Sequence, residues 1–216
     1  MHIVAVDGPA GSGKSSVSRE AARILGFGYL DTGAAYRALT WATLQGMISI
    51  ANLSAEELEN AFEYSISLDP EDYWVKVSGQ SVTEVIRSSD VAAAVSQIAQ
   101  NPEVRKYMLK LTRALVEQST FAGVIVEGRD ITTVIFPEAK TRVLLTASEE
   151  VRLARRAAEL PPGALTSKLV SERDKKDAEI VAFMAPANGV SLLDSTNLTF
   201  DQTVSALVEL VRKGQD

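Results

Sequence analysis

Gly8-Pro9-Ala10-Gly11-Ser12-Gly13-Lys14-Ser15 carries the spacing G-x-x-x-x-G-K-[ST] without a gap. Glycines let the backbone curl so that successive N–H groups converge on an anion, and a helix start behind them adds partial positive charge. In such a loop the lysine reaches the β- and γ-phosphates of a nucleoside triphosphate, and the last hydroxyl ligates Mg2+. Gly8, Pro9, Ala10, Gly11, Ser12, Gly13, Lys14, Ser15 and the adjacent Ser16 are therefore the expected ATP contacts, with Ser15 as the Mg2+ ligand. A chain of ordinary composition matches the pattern by chance on the order of 1% of the time.

The motif needs a strand before it and a helix after it. Ile3 to Val6 is an apolar run suited to a strand buried on both faces, and Val17 to Leu25 has helical spacing. Further strands are expected around Tyr29, Val124, Arg142 and Val190, separated by helices, which implies a five-stranded parallel sheet in an α/β, three-layer fold of the P-loop NTPase type. Between them, Ser65 to Leu68, Tyr73 to Val77 and Ser81 to Ile86 alternate and are bounded by turns, which predicts a small antiparallel insert. Ser54 to Glu57 reads as a capping box opening a short helix. Pro102 to Gln118 reads as a longer helix with Val104, Met108, Leu111 and Leu115 along one face.

Composition narrows the class. The 216 residues are 46% hydrophobic, enough for one compact domain with an insertion. A net charge of -6 argues against a nucleic-acid partner, and no apolar run reaches membrane-spanning length. The absence of cysteine excludes disulfides and thiolate metal sites, in keeping with a reducing compartment; with no signal-like leader, a cytoplasmic protein is expected. The single histidine, His2, reads as a solvated terminal residue, so no histidine relay is available. Aromatic residues in the insert, Tyr73 and Trp74, read as packing. Arg152, Arg155 and Arg156 have a solvated helix face as their ordinary explanation and a place in an Arg-rich lid as the alternative. A guanine-reading Asn-Lys-x-Asp is missing, which leaves a small-molecule kinase ahead of a GTPase.

Several further stretches then line up. Leu30-Asp31-Thr32-Gly33-Ala34-Ala35-Tyr36-Arg37, Ala94-Val95-Ser96-Gln97, Pro102-Glu103-Val104-Arg105, Val126-Glu127-Gly128-Arg129-Asp130-Ile131 and Phe136-Pro137 follow Gly8 to Ser16 in the order and spacing of bacterial cytidylate kinases. The chain resembles that family, within the nucleoside monophosphate kinases, over almost its whole length. The resemblance implies ATP-dependent phosphorylation of CMP and dCMP with Mg2+. It implies a single domain over 1–216, an acceptor-binding region over 37–120 holding the insert near 65–86, and a lid over 157–185. By position, Thr32 and Arg37 contact the acceptor, with Arg37 on its phosphate, and Ser96, Arg105 and Asp130 serve the cytosine and phosphate pocket. Arg129 reaches the transferred group, and Arg173 and Asp177 complete the site from the lid; Lys14, Arg129 and Arg173 form the catalytic set. A working monomer is expected. The chain departs from the family pattern at Ile180, where an arginine is usual, along the following Val181-Ala182-Phe183-Met184, and more mildly at Thr132, where a glycine is common.

Overall fold

The structure, a computed structural model, describes residues 1–158 and 185–214. They divide into two compact units, one formed by Met1–Leu30 with Thr120–Asp216 and the other by Asp31–Ser119.

In the first unit five strands form a parallel sheet: β1 (His2–Asp7), β2 (Gly28–Asp31), β6 (Gly123–Gly128), β7 (Thr141–Thr146) and β8 (Ser191–Asp194), in the order β2-β6-β1-β7-β8. Val4, Ala5 and Val6 of β1 and Val124, Ile125 and Val126 of β6 are wholly buried, as central strands covered on both faces must be. Register sets Asp7 opposite Gly128, so Gly8 and Arg129 leave the carboxyl edge of the sheet side by side. That edge is where open parallel sheets hold ligands. Helix α1 (Lys14–Leu25) follows the loop and packs on α7 (Phe200–Lys213), while α6 (Glu149–Ala158) follows β7. Gly26, at φ 67, closes α1, and Thr199 with Gln202 forms a capping box that starts α7. His2 is half-buried rather than solvated. Its Nε2 lies 3.2 Å from Thr141 Oγ1 and its ring 5.9 Å from that of Phe27, because pairing of β1 starts at this residue.

The second unit holds α2 (Thr32–Leu44), α3 (Ala55–Ala61), α4 (Ser89–Ala99) and α5 (Pro102–Glu117), with a three-stranded antiparallel sheet of β3 (Tyr64–Ile66), β4 (Val75–Val77) and β5 (Gln80–Ser81). Asp31 caps α2 by accepting from the Ala34 amide at 3.1 Å, and the Ser54–Glu57 capping box opens α3 as expected. Alanines at 34, 35, 38 and 42 are buried along α2, which lets it lie close to α4. The buried stripe of α5 is Val104, Tyr107, Met108, Thr112 and Val116; Leu111 and Leu115 are only half-buried. Trp41 is buried, and Lys76 Nζ sits 4.5 Å above the Trp74 ring.

The third insert strand is shorter than its alternation predicts. Only Gln80 and Ser81 pair with β4; after them the Thr83 hydroxyl accepts from the Val75 amide at 2.9 Å, and the chain turns into a 3-10 segment at Val85–Arg87.

Candidate active site

Gly13, at φ 85, hands the loop over to α1, so Lys14 and Ser15 form the first turn of the helix. Ser15 donates its hydroxyl to Glu127 Oε1 at 2.6 Å, and Lys14 Nζ lies 3.9 Å from Glu127 Oε2. Glu127 is 2% exposed, and the Tyr29 hydroxyl also donates to it at 3.3 Å. A buried carboxylate needs such partners, since an unpaired charge away from water is expensive. Next along β6, Arg129 donates through Nη1 to the Gly8 carbonyl. Loop and strand end are thus joined by a lysine, a serine, a glutamate and an arginine within one unit.

A second buried carboxylate shapes the same edge. Asp7 accepts from the Ile131 amide at 2.9 Å and from the Thr132 amide and hydroxyl at 2.8 and 2.6 Å. Burial pushes its carboxyl above the ordinary value, against these three bonds, which favour the charged form. Only the hydroxyl bond of Thr132 depends on its side chain. Asp130, 9% exposed, begins the π-type turn Ile131–Ile135, and its carbonyl accepts from Val134 and Ile135.

Two arginines that sequence spacing left between a solvated face and a lid pack on the loop instead. Arg152, 6% exposed, donates to the Ala10 carbonyl at 3.0 Å, and Arg155 donates to the Ser12 carbonyl at 3.2 Å. Gly11, at φ 74, has the Arg152 backbone against it, so no side chain fits there. From the sequence, Arg152 and Arg155 stood between two readings and Glu127 stood only as part of the stretch Val126–Ile131, without a role of its own; Asp7 carried no signal beyond its place at the end of the strand before the loop.

Of the residues assigned to the acceptor, Thr32, Arg37, Ser96 and Arg105 lie in the Asp31–Ser119 unit and Asp130 in the other. Thr32 is buried at the start of α2, and Arg37, half-buried on the same helix, donates to the Ile86 carbonyl at 3.4 Å. Ser96 is buried on α4 and Arg105 half-buried on α5, where Glu103 is engaged with the Ala55 amide at 2.9 Å and with Lys106 at 4.0 Å. Arg173, Asp177 and Ile180 lie outside the described residues.

The donor set suits a hard divalent cation. A serine hydroxyl and a carboxylate, both oxygen, stand together at the loop, and among the described residues no cluster of three or more carboxylate or histidine groups stands elsewhere. Mg2+ takes one or two protein oxygens and completes its shell with phosphate and water. Among the described residues no helix is long and apolar enough to cross a membrane.

A glycine loop on the central strand of a parallel sheet, with lysine, serine and arginine gathered on it, defines a nucleotide-binding protein of the phosphate-loop fold. The cytidylate kinase family model matches residues 4–213, and the chain belongs to that family, whose reaction is phosphorylation of CMP and dCMP with ATP as donor. It is 38% identical to the cytidylate kinase of Streptomyces griseus over 97% of this chain and 92% of that protein. It is 40% identical to the cytidylate kinase of Bdellovibrio bacteriovorus over 97% of each. The shikimate kinase of Bacteroides thetaiotaomicron shares the fold, with a TM-score of 0.52 at 14% identity over 98% of each chain.

Proposed function

We propose that Lys14, Ser15, Glu127 and Arg129 form the donor half of the site that transfers the γ-phosphoryl group of ATP to CMP and dCMP, giving CDP and dCDP. The observation that carries this reading is the joining of the loop to the end of β6, through Ser15 and Lys14 to Glu127 and through Arg129 to Gly8. Gly8 to Ser16 wrap the triphosphate with backbone amides, and Lys14 and Arg129 neutralise charge on the group in flight. Ser15, with Glu127 beside it, would hold Mg2+, which would supply Lewis-acid neutralisation of the triphosphate's charge.

Five further described residues are assigned to the acceptor. Arg37 and Arg105 hold the acceptor phosphate as guanidinium forks, and Ser96 and Asp130 read the cytosine edge, where an amino donor distinguishes it from uracil. Thr32 contacts the acceptor, and Arg173 and Asp177 are assigned to the same transfer. The acceptor is a phosphate oxyanion at neutral pH, so no general base is required.

The working form is a cytoplasmic monomer; the lack of cysteine is compatible with a reducing compartment. A coupled assay of ADP formation with CMP, dCMP, UMP and AMP tests the reaction. Turnover is expected with CMP and dCMP; ATP turnover that is equal with and without CMP would overturn it.

A further inference from the structure

Arg155 stands at a junction of three elements. Its Nη1 donates to Ser195 Oγ at 2.9 Å and to the Ser12 carbonyl at 3.2 Å, and its Nη2 donates to the Ser195 carbonyl at 2.9 Å. Ser195 is wholly buried and is itself fixed to the end of β7, since its amide and hydroxyl both donate to the Thr146 carbonyl, at 2.8 and 2.9 Å. One guanidinium therefore ties the phosphate loop to the sheet through a serine that cannot move independently of β7.

The direction of that tie matters for the anion. In a trans peptide the carbonyl of one residue and the N–H of the next point opposite ways. With the Ser12 carbonyl held by Arg155 and the Ala10 carbonyl held by Arg152, the amides of Gly13 and Gly11 are turned away from α6. Among the described residues neither amide has an acceptor.

We infer that Arg155, helped by Arg152, is a positioning residue for the nucleotide's phosphates: it fixes the peptide planes of the loop so that backbone amides are oriented before ATP arrives. It acts through the loop and touches no substrate. Such preorganisation spares the binding step the cost of ordering those dipoles. Lysine does not reproduce it, because one ammonium lacks the planar fork that spans Ser12 and both acceptors of Ser195.

The inference rests on the loop being the ATP site, and inorganic tripolyphosphate with Mg2+ tests it without a nucleoside or an acceptor. Calorimetry on the full chain is expected to show Arg155→Ala binding tripolyphosphate about tenfold more weakly, with Arg155→Lys in between. In steady state the KM for ATP rises by the same factor while the KM for CMP is unchanged. A variant that melts earlier but binds tripolyphosphate as the wild type does would overturn the inference. So would a rise in KM for ATP with tripolyphosphate binding unaltered, since that places Arg155 at the nucleoside end. Should Arg155→Ala fail to fold, Ser195→Ala, which removes one of the guanidinium's acceptors, is expected to weaken tripolyphosphate about threefold; unchanged binding would overturn it. Wild-type protein that binds tripolyphosphate in this Arg155-dependent way yet leaves CMP unphosphorylated would sink the kinase reading alone.

Discussion

Ser15 donates its hydroxyl to Glu127 at 2.6 Å, joining the first turn of α1 to the end of β6. Gln in place of Glu127 keeps the volume and removes the charge. Glu127→Gln is expected to raise the Mg2+ concentration for half-maximal rate about 10- to 100-fold, as loss of a metal-orienting carboxylate commonly does. Initial rates against free Mg2+ at saturating ATP and CMP read this directly. An unchanged Mg2+ dependence removes Glu127 from the metal's surroundings.

Lys14 is the loop's only side-chain cation. Lys14→Ala is expected to cut kcat about 100- to 1,000-fold or more, in line with removal of one preorganised charge-stabilising donor. Far-ultraviolet circular dichroism should be unchanged, and a variant that keeps wild-type kcat would refute the donor assignment.

Asp7 ties stability to pH. The folded state holds the Asp7 proton more tightly than the unfolded chain, whose carboxyl titrates near 3.8. Its contribution is therefore most favourable below that value and declines as pH rises through the raised folded value. Asn does not titrate. The stability advantage of wild type over Asp7→Asn should shrink as pH rises above 3.8, read as urea midpoints. A gap that widens with pH contradicts the sign.

Leu39 is wholly buried on α2. Leu39→Ala is expected to cost about 2–5 kcal/mol through lost burial and the cavity left behind. Denaturant titration gives the number, and a loss below about 1 kcal/mol would mean that the surrounding helices collapse onto the space.

Ile180 stands where the resemblance implies an arginine. Ile180→Arg is expected to raise kcat or leave it unchanged, because an arginine is usual there in the family. A large loss would show that the surroundings have been rebuilt around an apolar residue.

The sheet and the loop were legible because their signals are local: apolar runs for buried strands and fixed spacing for the anion site. The third insert strand was not. Val82 and Ile86 kept the alternation of a strand, but the Thr83 hydroxyl took over the Val75 amide and ended the ladder. On α5 the period was right and the phase was off by part of a turn, since Tyr107 and Thr112 are buried in place of Leu111 and Leu115. For Arg152 and Arg155, periodicity marked a charged helix but could not reveal that backbone carbonyls of a loop more than a hundred residues away would accept from them. Thr32, Arg37, Ser96 and Arg105 were recognisable only through their motifs; nothing in their local spacing separates a phosphate-binding arginine from a surface one.

Both tryptophans of the chain, Trp41 and Trp74, lie within Asp31–Ser119, one buried and the other under the Lys76 ammonium. Intrinsic tryptophan emission is therefore a one-sided optical probe. It reports on the part assigned to the acceptor, and the phosphate-loop part contributes no indole. Titrating CMP while following that emission therefore records the acceptor without a label.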